Sequence, residues 1–389
     1  MSERFKSNKN KKLQNAYGIW ASKKDDKQII AICLNDPEHE MAAFFGIAET
    51  GKKVCVVSSD MIKILDKRYT VLRKKKNPSN LPINISKTNN FVTFTSGSTK
   101  KPKAILRSHK SWIYSFNKNG VLKSDTVAAL GHLSHSLTLY AATEAMHIGA
   151  NLIFTGLRPL GEPTIIYATP TLLKLVYKNN IIYPKVRKIF IGGGTFNDLD
   201  RDFCQQRFPN AEIKVFYGTA ETSFITISDS KTPPNSVGQA YEGVKLETIN
   251  GGVFVTTPMI AESYLDEQIS MNVDTPFSTG EIGHIDNNGF LFLEGRLDRA
   301  VNISDKIVYL DTLENDLMSL SGIEYAAVIT IPDAKRGQKA FAAVYGGIAS
   351  HPKISGIINL KEWPLLLSGK TDYIKVLSLI HISEPTRPY

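Results

Sequence analysis

Between residues 28 and 218 short apolar runs alternate with amphipathic stretches, and no other feature constrains the fold as strongly. QIIAICL (28–34), KVCVVS (53–58), NFVTF (90–94), TVAAL (126–130), NLIFTG (151–156), TIIYA (164–168), VRKIFIG (186–192) and EIKVFYG (212–218) read as strands. Helical patterns lie between them. The first follows Asn35-Asp36-Pro37, where Asn35 or Asp36 can cap and Pro37 suits the first turn. It carries Met41, Phe44, Phe45 and Ala48 on one face and ends at Gly51. AATEAMHIG (141–149), TPTLLKLVYKN and DLDRDFCQQRF read as three more. Strands alternating with helices predict an α/β fold, with mainly parallel sheets flanked by helices. Ligands on such sheets bind at the carboxyl ends of strands, where this chain places its unusual loops.

After residue 235 the character changes to short strands and turns, a β-rich subdomain with a hairpin signal at Asp286-Asn287-Asn288-Gly289. A smaller α+β unit follows: a hairpin at 300–310, a helix at 311–320, a strand at 324–331 and a strand-like AFAAVYGG. The expected division is a large N-terminal domain (1–297), a small C-terminal domain (298–376) and an atypical tail (377–389). The tail, SLIHISEPTRPY, does not continue the helical pattern and looks like translated sequencing adapter, so it is left out of the fold reading and the native C-terminus is expected to be absent.

With 42% hydrophobic and 22% charged residues, the 389-residue chain has the composition of an ordinary globular protein. No apolar run is long enough for a bilayer span, and no hydrophobic stretch follows the basic N-terminus, so the expected compartment is the cytoplasm. Cys33, Cys55 and Cys204 are few and widely spaced, which argues against disulfides and a zinc site; the first two fall in apolar runs and read as core. The net charge of +10, much of it at 6–12 and 67–76, suits an anionic partner such as a nucleotide or CoA, and also nucleic acid, or simply a solvated surface. No zinc finger or aromatic-basic RNA motif occurs, and no nucleic-acid partner is expected.

Five motifs carry possible chemistry. Thr95-Ser96-Gly97-Ser98-Thr99-Lys100-Lys101-Pro102-Lys103 follows a strand, and its hydroxyls, glycine and lysines suit a phosphate, although a surface loop fits equally well. Gly192-Gly193-Gly194 lets backbone approach a flat ligand, or forms a tight turn. In Phe216-Tyr217-Gly218-Thr219-Ala220-Glu221 the tyrosine could stack on a base and Glu221 could hold Mg²⁺; the plainer reading is a packed ring and a solvated charge. Ser278-Thr279-Gly280-Glu281-Ile282-Gly283 and Gly295-Arg296-Leu297-Asp298 pair an acid with an arginine, as ribose and phosphate recognition requires. Leu366-Leu367-Ser368-Gly369-Lys370 sets a lysine on a glycine turn.

In this order the motifs resemble those of the adenylate-forming superfamily, which comprises acyl- and aryl-CoA synthetases, peptide-synthetase adenylation domains and luciferases. TSGSTKKPK is similar to its TSGTTGxPK loop, FYGTAE to its YGxTE segment, STGEIG and GRLD to its TGD and GRxD, and LSGK to the segment of its catalytic lysine; GGG and NSVGQ (235–239) fall in register. The resemblance runs from about 28 to about 376. It implies that ATP and a carboxylic acid give acyl-AMP and pyrophosphate, after which a thiol of CoA or an acyl carrier protein displaces AMP. It places Thr95, Ser96, Gly97, Ser98, Thr99 and Lys103 on the polyphosphate, Gly193, Gly194 and Tyr217 on the adenine, and Gly218 and Thr219 beside them. Glu281 and Arg296 would bind the ribose, Glu221 would serve Mg²⁺, and Lys370 would bridge the carboxylate and α-phosphate. Asp298 matches the hinge about which a mobile small domain rotates.

Several positions depart from the pattern. Lys100 replaces a glycine, Ala220 a hydroxyl residue and Glu281 an aspartate; Asp305 falls where a glycine lines the thiol tunnel, and Ile307 near an arginine position. The N-terminal region and 345–360 are abbreviated. These departures weigh more on the thiol step than on adenylation, and they motivate the alternative of a non-catalytic nucleotide-binding relative. Amino-acid-activating members carry an aspartate in the segment that here reads HLSHSLTLYAA; His135 stands near it, which favours a fatty or aryl acid. His135 is also similar to a histidine of acyl-CoA synthetases and joins Lys370 and Glu221 in the expected catalytic set; a core histidine is the plainer reading. Leu137 and Tyr140 would line an uncharged pocket.

Overall fold

The structure, a computed structural model, describes residues 7–25, 28–81, 90–95, 102–155, 159–267, 270–303, 306–333, 337–365 and 371–383. The alternating region folds as expected, but into two sheets. In a six-stranded sheet Ile29–Ile32 lies parallel to both Val54–Val56 and Tyr69–Leu72. Every residue of the first two of these strands is buried, the near-continuous apolar run that a strand covered on both faces requires. Asn90–Phe94 pairs antiparallel with Ala104–Ser108 across the segment 96–101, and Ser263–Tyr264 closes that edge. Asp36 caps the helix Pro37–Ala48 by accepting from the Glu38 and His39 amides at 3.1 and 3.2 Å.

The second sheet has eleven strands. Glu212–Thr219, Lys188–Gly192, Ile165–Ala168, Thr126–Leu130 and Asn151–Thr155 form its parallel half, with all carboxyl ends on one edge. At Ser223 the chain reverses, and Ser223–Ser228 pairs antiparallel with Glu212–Thr219. The β-rich segment thus continues the parallel sheet through Ser236–Ala240, Phe290–Arg296 and Phe277–Ile285.

Three elements were not foreseen. The helix Ser7–Ser22 was read only as basic charge, yet it buries Leu13, Tyr17 and Ala21 against Phe44, Ile47 and Ala48. The strand Ala104–Ser108 and the helix His109–Phe116 follow directly on the TSGSTKKPK segment. The helix expected at 141–149 spans Ser136–Ile148, so the HLSHSLTLYAA segment itself supplies its first turns.

Beyond the short turn Leu297–Arg299 come the hairpin Ala300–Ile303/Lys306–Tyr309, the helix Leu310–Met318 and a three-stranded sheet of Ile323–Asp333, Gly337–Gly346 and Ile354–Asn359. Leu313 and Leu317 pack on one face of that sheet with Val328 and Ala342. The other face buries Val376 and Ile380 against Ala327, Ala343 and Trp363. The expectation that helical pattern stops near Leu377 is therefore corrected: the helix runs Tyr373–Ser383, and the four-residue spacing of Val376 and Ile380 sets both on the sheet. Cys33, Cys55 and Cys204 are buried and free, and among the described residues no helix is long and apolar enough to cross a membrane.

Candidate functional site

One cleft, about 2950 Å³, opens where the parallel strands of the large sheet end and the small unit faces them. Thr95, Lys103, His135, Gly193, Gly194, Tyr217, Gly218, Thr219, Glu221, Glu281, Arg296 and Asp298 all line it. Single-ligand pockets measure roughly 300–1,000 Å³, so this one has room for a nucleotide and a second substrate. Ser96, Gly97, Ser98, Thr99, Lys100, Asp305 and Lys370 lie outside the described residues.

Backbone geometry explains two of the glycines. Gly193 has φ +79°, a left-handed conformation at the end of Lys188–Gly192. Gly218 sits where the pairing with Ser223–Ser228 shifts register, and a Cβ there would stand 1.8 Å from the Ser223 carbonyl oxygen. Only glycine admits that approach, which turns the chain so that Ala220 and Glu221 face the cleft. The Thr219 and Thr222 hydroxyls close the turn at 3.0 Å, so the Thr219 side chain is engaged within its own loop.

At one end of the cleft Glu281 and Arg296 are cross-strand partners. Burial raises the Glu281 carboxyl to about 7, with Arg296 opposing the shift. The Arg296 guanidinium is bidentate on Asp298, at 2.9 and 3.0 Å, so it is shared with the expected hinge residue. Burial also raises the Tyr217 phenol, with the Thr279 hydroxyl beside it opposing the shift.

At the middle, Glu221 Oε1 accepts from the Tyr264 hydroxyl at 2.8 Å. Its backbone carbonyl accepts from Arg107 Nη2 at 2.8 Å and from the Ala261 amide at 2.7 Å. Lys103 Nζ is paired with Glu267 at 2.6 Å and stands 4.8 Å from the Tyr264 ring centroid. That ion pair is half exposed and so exchangeable. Thr95 Oγ1 accepts from the Lys103 amide at 2.9 Å, fixing the base of the loop between them. Sequence reasoning missed Arg107, Tyr264 and Glu267. Only Arg107 left a signal: a cation in the apolar strand AILRS.

At the far end His135 precedes the helix Ser136–Ile148, and Leu137 and Tyr140 line the wall as expected. Trp112, Tyr140, Phe224 and Phe216 form a continuous series of ring contacts, with centroids 5.3, 5.1 and 4.5 Å apart. Behind them Tyr140 bonds to Ser115 and Asn119 at 2.7 and 2.8 Å. Asn119 in turn donates at 2.7 Å to Glu144, whose carboxyl burial lifts to about 8.

Among the described residues no group of three or more His, Cys, Asp or Glu could cage a metal. Glu221 offers one carboxylate, with Oε1 held by the Tyr264 hydroxyl. That donor set suits Mg²⁺, which takes one or two carboxylates and completes its shell with phosphates and water, rather than Zn²⁺.

Residues 24–255 match the protein-family model for AMP-binding enzymes. The chain is 28% identical over 283 residues to an uncharacterized acyl–CoA ligase, YhfT, of Bacillus subtilis, covering 66% of this chain and 58% of that one. It is 30% identical over 319 residues to a putative long chain fatty acid–CoA ligase, VraA, of Staphylococcus haemolyticus, covering 72% and 68%. The chain thus spans about three fifths to two thirds of the length of these relatives. Among solved structures, O-succinylbenzoate coenzyme A synthetase from Bacillus subtilis, in complex with ATP and magnesium ion, superposes with a TM-score of 0.76 at 17% identity, over 95% of this chain and 92% of that one. At that identity the likeness shows the fold alone.

Proposed function

This chain belongs to the AMP-binding enzyme family, and we propose that it activates a carboxylic acid with ATP, forming an acyl-adenylate and pyrophosphate, and then passes the acyl group to the thiol of CoA or an acyl carrier protein. The observation that carries the reading is the convergence of residues more than two hundred positions apart, Thr95 to Arg296, on one cleft. The names of the relatives, both acyl–CoA ligases, agree with it.

In this reading Gly193, Gly194 and Tyr217 take the adenine, and Glu281 and Arg296 the ribose. Thr95, Ser96, Gly97, Ser98, Thr99 and Lys103 take the polyphosphate. Glu221 holds Mg²⁺, which when bound neutralises phosphate charge. Lys370 bridges the substrate carboxylate and the α-phosphate; Thr371, its neighbour in sequence, lines the cleft. The carboxylate oxygen forms a bond to the α-phosphorus as the bond to pyrophosphate breaks. Charge grows on the phosphate oxygens, so the chain's part is positioned donors and cations. Asp298 is the hinge, and domain rotation about it follows adenylation.

For the acid, the aromatic wall supports an aryl or short acyl group over a long chain. Ring contacts run unbroken from Trp112 to Phe216, and Tyr140 is held from behind by Ser115 and Asn119. The test is acid-dependent ATP–pyrophosphate exchange screened over fatty, aryl and amino acids. Exchange with aryl or short acids, lost in Lys370→Ala, is expected. ATP binding without exchange for any acid would favour a non-catalytic nucleotide-binding protein.

A further inference from the structure

We propose that Arg107 is the positioning residue that fixes Glu221 relative to the strand Ala104–Ser108 and so sets the affinity of the site for magnesium-loaded ATP. The inference rests on the reading of Glu221 as the magnesium ligand. Arg107 is fully buried, and no carboxylate among the described residues lies within ion-pair distance of it. Its guanidinium is charged at neutral pH, as arginine is throughout the physiological range. Burying a charge among neutral acceptors is costly, and an apolar side chain could fill the same space.

The charge supplies a rigid fork of donors. Nη2 donates to the successive carbonyls of Ala220 and Glu221, both at 2.8 Å, while Nη1 donates to the Met259 carbonyl at 2.8 Å and to Ser111 Oγ at 3.0 Å. Arg107 lies on Ala104–Ser108, the strand that leaves the 96–101 segment, and the strand Ser263–Tyr264 pairs with it, Tyr264 opposite Ile105. Two paired strands therefore hold Glu221, one its backbone through Arg107 and the other its carboxylate through Tyr264. A lysine offers a single point of donation and cannot span both loops.

The test is a fluorescence titration of the full chain with ATP, in excess Mg²⁺ and in EDTA. Wild type is expected to bind more tightly with Mg²⁺. Arg107→Met should lose most of that gain, binding roughly tenfold more weakly in Mg²⁺ with affinity in EDTA changed less than about twofold. Glu221→Gln should show the same loss, and the double variant no more than either. Should Arg107→Met fail to fold, Arg107→Gly is titrated with added guanidinium, which should restore the Mg²⁺-dependent gain where sodium chloride does not. The inference is overturned if Arg107→Met keeps the gain, if both affinities fall alike, if the double loss is additive, or if guanidinium restores nothing. Wild type that binds no ATP overturns the nucleotide-site reading and this inference with it. Wild type with a magnesium gain that survives in Arg107→Met overturns the inference alone.

Discussion

Arg296 donates two hydrogen bonds to Asp298, at 2.9 and 3.0 Å, across the point where the large sheet gives way to the small unit. The proposed ribose contact and the proposed hinge are thus one ion pair. Both partners are about half exposed, and such pairs contribute under about 1 kcal/mol. Asp298→Ala should therefore leave thermal stability nearly unchanged. Pyrophosphate exchange should persist while thioester formation slows, as the rotation loses its pivot. Parallel assays of the two half-reactions check this; equal loss in both would detach Asp298 from the second step.

Glu281 should make nucleotide binding pH-dependent. Its carboxyl is raised by burial to about 7, so the protonated form persists well above the ordinary carboxylate range. A ribose hydroxyl donates better to the ionised form, so ATP affinity should rise as pH climbs through about 7. Stability runs the other way. The folded chain binds this proton more tightly than the unfolded chain, so Glu281 contributes stability below its unfolded pKa and loses it as pH rises to about 7. Glu281→Gln should flatten both profiles, measured by ATP titration and thermal melting across that range.

Tyr140 should limit acyl length. Tyr140→Ala removes the ring that joins Trp112 to Phe224, and should raise the exchange rate with longer acids relative to short ones by roughly tenfold. It also breaks the bonds to Ser115 and Asn119, so a stability loss of about 3–5 kcal/mol accompanies it. A series of straight-chain acids, assayed below the melting point of the variant, separates the two effects.

Ile380 should prove structural. It is fully buried against the small sheet, and Ile380→Ala should cost about 2–5 kcal/mol in that unit. Trp363 packs in the same cluster, so its fluorescence reports the transition. An unchanged melt would mean that the helix end does not dock.

What the sequence disclosed follows from which interactions are local. Asp36 and Pro37 announce a helix start because the cap bonds span three residues. The glycines at 193 and 218 stand at strand ends, where the apolar runs stop. Leu137 and Tyr140, which line the cleft, were legible as pocket residues through the family resemblance of the segment that holds them. The rest depends on contacts distant in sequence. Arg107 meets Glu221 and Met259, and Tyr264 meets Glu221, through partners that no periodicity relates. The helix Ser7–Ser22 was hidden by its lysines, since its buried stripe of Leu13, Tyr17 and Ala21 gains meaning only against Phe44 and Ile47. Across Leu377 the four-residue spacing of Val376 and Ile380 is itself a helical signal, but it gains meaning only against Ala327, Ala343 and Trp363.

The most direct test is a crystal structure of the chain with a non-hydrolysable ATP analogue and magnesium. The account predicts the adenine against Gly193, Gly194 and Tyr217, the ribose beside Glu281 and Arg296, and the phosphates toward Lys103 with the metal on Glu221. A nucleotide bound elsewhere, or a nucleotide in the cleft that leaves Glu221 and Arg296 uncontacted, would contradict it.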